Sequence, residues 1–132
     1  MVYWTFLDFV DGQRNGIQEW IEGLNRGVRK AVKAELNARL PLLAKCSKLD
    51  RPDTGQLRGK KYAGLFEIVM KVGGVQYRPL WCYGPQRGEV TLLTGAIEKG
   101  GRMPNADCDR ALRRMGIVHS GDRRYVCEHD YS

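Results

Sequence analysis

Apolar positions change their period along the chain, and the changes mark out elements. Val2 to Phe9 is dense in aromatic and β-branched residues and is closed by Asp11-Gly12, which predicts a first strand. Ile17, Trp20, Ile21 and Leu24 then fall at i, i+3, i+4 and i+7, one face of a short helix that Asn25 to Gly27 can end. Val28, Val32, Leu36 and Leu40 continue in four-residue steps, which leaves Arg29, Lys30, Lys33 and Arg39 to other faces. The pattern is that of an αα-hairpin with a basic outer side, and Pro41 need not break its second helix completely.

Lys48 to Gly59 holds Pro52, two glycines and alternating charge, and reads as a loop. Leu65 to Met70 predicts a strand, Gly73-Gly74 a tight turn, and Gln76 to Tyr83 its hairpin partner. Gly84 to Gly88 turns the chain again into Val90 to Thr94, so three antiparallel strands follow one another. Past Gly100-Gly101, Pro104 suits a helix start, and Ala106 to Met115 reads as a third helix with Ala111, Leu112 and Met115 on its apolar side. Ile117 to His119 and Tyr125 to Cys127, around Ser120-Gly121-Asp122, read as a small hairpin or ordered tail. The order β-α-α-β-β-β-α plus an appendage predicts an α+β fold with its helices packed on one face of an antiparallel sheet.

A length of 132 residues predicts one domain, here residues 1–116 with a tail at 117–132. With 42% hydrophobic and 28% charged residues, the chain is too apolar for disorder and too interrupted by charge for a membrane protein. The apolar N-terminus is broken by Asp8 and Asp11 and has neither a basic n-region nor a cleavage site, so a cytoplasmic protein is expected. Cys46, Cys82, Cys108 and Cys127 are widely spaced without a CxxC and read as free thiols. Together with His119 and His129 the last two match no zinc-ligand spacing. Trp4, Trp20 and Trp81 read as core or interface residues before base-stacking platforms.

Charge adds more. The net charge is +7, yet residues 26–78 hold 13 bases against 4 acids, so the rest of the chain is slightly acidic. Such a concentration of one sign points to a phosphate-rich partner, nucleic acid or ribosome, against the plainer reading of a solvated face.

Gly64-Leu65-Phe66-Glu67-Ile68, then Gly73-Gly74-Val75-Gln76-Tyr77-Arg78, then Leu92-Leu93-Thr94-Gly95-Ala96-Ile97-Glu98-Lys99 occur in one register after the αα-hairpin. In order and spacing they resemble the phage-derived branch of the RelE/HigB-like toxins, with their GLxEL strand, GGxQYR hairpin and LLHGFxKKTxKTP strand leading to a terminal helix. The resemblance covers Val2 to Met115. It implies a RelE-like fold and a small toxin that enters the ribosomal A site, cleaves messenger RNA without a metal or other cofactor, and is held in check by an antitoxin protein of helix-turn-helix type.

In such a reaction the RNA's own 2'-hydroxyl attacks the adjacent phosphate, which calls for a proton acceptor, a cation for the phosphorane charge and a proton donor. The resemblance places Arg78 in the matched QYR motif as the cation, with Lys60 or Lys61 helping to activate the hydroxyl. It gives Arg58, Lys99 and Arg102 to RNA or ribosome contact, and the basic helix adds Arg29 and Lys33. The sequence also departs from the family pattern: Thr94 stands where a His is common, Ala96 for Phe, and Val69 for Arg. His119, Tyr125, His129 and Tyr131 are the remaining groups able to replace a lost acid or base. Two alternatives therefore stay open: Arg78 as a plain salt-bridge partner of Glu67, and the whole protein as a non-catalytic phage or prophage module that binds RNA, ribosome or protein.

Overall fold

The computed structural model describes residues 1–132. Strand β1 (Thr5–Asp11) turns into the two-residue β2 (Arg14–Asn15), and the chain passes directly into helix α1 (Gly16–Glu22). Asn15 caps that helix, its Oδ1 accepting from the Gln18 N–H at 3.1 Å. Helix α2 (Arg29–Ala44) runs through Pro41, which lies on its exposed side while Val32, Leu36, Leu40 and Leu43 are buried. Next come β3 (Thr54–Gln56), a 3-10 turn at Lys60–Tyr62, β4 (Phe66–Ile68), β5 (Met70–Val72), β6 (Val75–Tyr83) and β7 (Glu89–Glu98). Helix α3 (Asn105–His119), a 3-10 turn at Arg123–Tyr125 and β8 (Val126–Glu128) complete the chain.

The fold is mixed α+β, three helices on an open eight-stranded sheet of order β2-β1-β7-β6-β4-β3, with β5 also on β6 and β8 on β1. The expected meander is present, with β4 and β5 pairing antiparallel to β6, and β6 to β7. β1 runs parallel to β7, from Thr5 opposite Glu89 to Asp8 opposite Leu92.

Three expectations need correction. The helices do not share one sheet face. One core, built on Ile17, Ile21, Val32, Leu36 and Leu40, packs α1 and α2 against Tyr77, Trp81 and Leu92. A second core packs Cys108, Ala111 and Val118 of α3 against Leu80, Cys82, Leu93 and Ala96 on the opposite face. The irregularity in the β6–β7 pairing between Leu80 and Trp81, which skips Leu93, puts Ala96 on that face although Leu92 is on the other. A sheet covered on both faces reads as near-continuous apolar sequence, as PLWCY and VTLLTGAI do.

The loop expected over Lys48 to Gly59 contains edge strand β3, whose Gly55 stands opposite Glu67. Ile117 to His119 forms the last turn of α3, not a hairpin strand, and the tail adds β8 to β1 antiparallel, with Val126 in the second core.

Candidate functional site

Where α3 begins, the sheet face beneath it is left open, and a cavity of about 530 Å³ is lined by four arginines: Arg51, Arg58, Arg78 and Arg102. They come from separate elements. Arg51 and Arg58 flank β3, Arg78 points up from β6, and Arg102 follows β7. Arg102 is held by a tight turn in which it and Lys99 exchange backbone hydrogen bonds of 2.9 and 3.0 Å. Gly100 at φ 58° and Gly101 at φ 77° supply the two left-handed residues such a turn requires. Glu67 of β4 and Glu98 of β7 line the same cavity, with Tyr62 and Asn105 beside them.

Arg78 and Glu67 form the floor. Only 6% of Arg78 and 8% of Glu67 is exposed. Register explains Arg78's neighbours: Gln76 is directly opposite Glu98, so Arg78 reaches both on the same face. Its Nη2 donates to Gln76 Oε1 at 2.7 Å and to Glu98 Oε2 at 3.3 Å, and its Nη1 donates to Met70 O at 2.8 Å. Nε lies 3.2 Å from Glu67 Oε1 but is too poorly aligned to hydrogen-bond it, so this buried N–H has no partner. The contact is a charge pair that leaves the Nε–H without an acceptor. Burial pushes the Glu67 carboxyl above its ordinary value, Arg78 pulls it back, Glu98 adds to the rise, and Arg51 and Arg58 oppose it.

The lysines lie elsewhere. Lys61 Nζ pairs with Asp109 Oδ1 at 2.9 Å, and the Tyr62 hydroxyl donates to that oxygen at 2.7 Å, which ties the 3-10 turn to α3. These bonds to Asp109 hold the Tyr62 hydroxyl above its usual range and the Asp109 carboxyl below its own. Lys60 is exposed on the same turn, and neither lysine lines the cavity. Lys99 faces a separate depression beside Trp20 and Leu24. Arg29 donates to Leu24 O, and Lys33 is exposed along α2, in the layer on the far side of the sheet. The basic window of residues 26–78 is thus split by the sheet: Arg51, Arg58 and Arg78 reach the cavity, Arg29 and Lys33 do not.

Arg51, Tyr62 and Glu98 were missed by sequence reasoning, and Glu67 was read only as an ion-pair partner. Arg51 was hidden in a segment read as loop. Glu98 becomes visible only once β6 and β7 are aligned in register. Thr94 and Ala96, at two departures from the family pattern, are buried. His119 accepts from no cavity group and instead meets Tyr83 O at 3.1 Å, while His129 is bound to Asp8.

The model of the family described as Phage derived protein Gp49-like (DUF891) matches residues 19–116, which is 98 of the 132 residues. The chain belongs to that family. The Gp49-like family is RelE-like and toxin-like in general kind, and its match includes every residue that lines the arginine cavity. β1, β2 and β8 lie outside the Gp49-like match. A comparison with curated proteins found no match. No helix is long and apolar enough to cross a membrane.

Proposed function

We propose that this Gp49-like protein is a toxin-type endoribonuclease that cleaves messenger RNA on the ribosome at the arginine cavity. The observation that carries the proposal is the buried Glu67–Arg78 pair under three further arginines, an acceptor and a cation in one phosphate-attracting pocket. The 2'-hydroxyl of the RNA passes its proton to the Glu67 carboxylate as its oxygen bonds to the adjacent phosphorus. Arg78, fixed on a strand, meets the added negative charge without reorganising. The bond to the 5'-oxygen breaks, water gives that oxygen a proton, and the products are a 2',3'-cyclic phosphate and a 5'-hydroxyl. Arg51, Arg58 and Arg102 hold flanking phosphates through their planar forks. An inhibitory antitoxin has the same cavity to cover, with acidic side chains.

A second reading is favoured by one feature: Gln76, Glu98 and Met70 already accept from both Nη atoms of Arg78. It is a non-catalytic phage or prophage module that keeps the basic cavity for binding alone. A reporter message incubated with and without ribosomes, in the presence of a chelator, separates the two. Cleavage by the wild type and its loss in Glu67→Gln are expected. A wild-type protein that binds ribosomes without cutting the message leaves only the binding reading.

A further inference from the structure

The flank of α3 turned toward β1 and α1 carries a second basic cluster, and Arg114 is its fixed member. Its Nη1 donates to Leu93 O at 2.8 Å, and its guanidinium lies 5.2 Å from the centre of the Phe9 ring. Gly16 leaves the space it needs: a Cβ there would stand 2.6 Å from Arg114 Nη1 and would also strike the Leu93 carbonyl. The side chain is therefore held in place before any ligand arrives.

Its charge is not balanced. Arg14 pairs with Glu19 at 2.8 Å and Arg110 with Asp107 at 2.9 Å, but no carboxylate lies within 4.0 Å of Arg113 or Arg114. Arg14, Arg113 and Arg114 line a cavity of about 130 Å³ with Phe9 behind them and Asp11 as the one carboxylate in its wall. At roughly 30 Å³ per water that is room for about four waters, enough for a small oxyanion. Burial, then Arg110 and Arg113, push the Arg114 guanidinium below its ordinary pKa, and Glu19 only partly opposes them. An arginine held in one orientation and flanked by like charge favours an anion placed beside it.

We propose that this cavity is a second phosphate site, taking one backbone phosphate of an RNA strand on Arg114, with Arg113 and Arg14 closing over it. The choice of RNA rests on the endoribonuclease reading above, whereas the oxyanion site itself does not. α3 joins the two places: Asn105 and Cys108 line the first cavity, Arg113 and Arg114 the second. Asn105 and Arg113 are about 12 Å apart along the helix axis at 1.5 Å per residue, a span that a few nucleotides cross.

The test uses the full chain with inorganic phosphate at constant ionic strength, followed by NMR, and then a short single-stranded RNA blocked at its 2'-hydroxyls. Phosphate is expected to shift the Gly16 and Arg114 signals, and Arg113→Gln to weaken that binding about tenfold, the size of one lost charge-assisted bond. Arg114→Lys, which keeps the charge but not the fork, is expected to weaken it as well. Arg58→Gln, in the first cavity, leaves it unchanged. For the RNA, Arg113→Gln is expected to lower affinity and reduce the salt slope by about one. Phosphate shifts confined to the first cavity overturn the site. RNA affinity untouched by Arg113→Gln, or tighter capture of an acidic peptide than of RNA, overturns the RNA assignment. Absence of message cleavage alongside Arg113-dependent phosphate binding counts against the proposed activity and leaves the site standing.

Discussion

Asp8 Oδ1 lies 2.7 Å from His129 Nδ1, a contact between residues 121 positions apart that fastens the tail to the first strand. Asp8 is fully buried, its other oxygen accepts from Asn15 Nδ2 at 2.9 Å, and His129 Nε2 meets Asn37 Oδ1 on α2 at 2.7 Å. Removing one member of a buried polar pair strands the other, so His129→Ala is expected to destabilise the fold by about 3 kcal/mol. Urea titration measures the loss. Faster tryptic cleavage at Arg123 and Arg124 would accompany it, while a variant as stable as the wild type would show that the tail is merely laid on the surface.

Arg78 is no surface residue, and this changes what its removal does. Arg78→Ala leaves Glu67 and Glu98 facing each other across a buried gap, with an expected loss of about 3 kcal/mol of stability. It should also slow cleavage on the order of 100-fold or more. The double variant Arg78→Met with Glu67→Gln removes both charges and is expected to regain much of the stability and none of the activity. Thermal melting beside ribosomal cleavage distinguishes the losses, and an active double variant would end the assigned roles of both residues.

The strand run, the αα-hairpin and the third helix were legible because each carries its own period and stop signals. The second core was legible too, in the unbroken apolar runs around Trp81 and Leu93, but a run without alternation was taken for a strand with one covered face. β3 was lost because three residues around Gly55 have no pattern of their own and become a strand only through pairing with β4. At the site, Arg58, Arg78 and Arg102 stood out by charge and motif. Lys60 and Lys61 stood out equally, but Lys61 is drawn to Asp109 on α3, and of their turn only Tyr62 lines the cavity. Glu67 looked like a counter-ion because sequence shows charge and not burial.

Glu67 ties stability and activity to pH in opposite senses. Burial raises its folded pKa above the ordinary 4.5, so between those values the folded state binds more protons than the unfolded one. Its contribution to stability therefore falls as pH rises through that window, while the deprotonated base needed for cleavage accumulates. The difference in unfolding free energy between wild type and Glu67→Gln should slope with pH in this window and level off on either side. Cleavage by the wild type is expected to rise across the same range. A flat difference would mean that Glu67 titrates normally in the folded protein.

Gly55 gives Arg51 its place. A Cβ at Gly55 would come 2.7 to 2.8 Å from the Arg51 guanidinium, so the side chain lies flat against the β3 backbone where only glycine admits it. Gly55→Ala meets only the end of a flexible side chain, and the fold is expected to change by less than about 1 kcal/mol. The displaced guanidinium, however, leaves the cavity with one cation fewer, and RNA or ribosome binding should lose about one unit of salt slope, as in Arg51→Ala. Because both changes remove the same contact, the double variant should bind no worse than either single one. Gly95→Ala is the contrasting case: its Cβ would run into the Trp20 indole within the first core, and it should fail in stability before binding is measured. A Gly55→Ala protein that melts normally and keeps the full salt dependence would show that Arg51 does not act from this position.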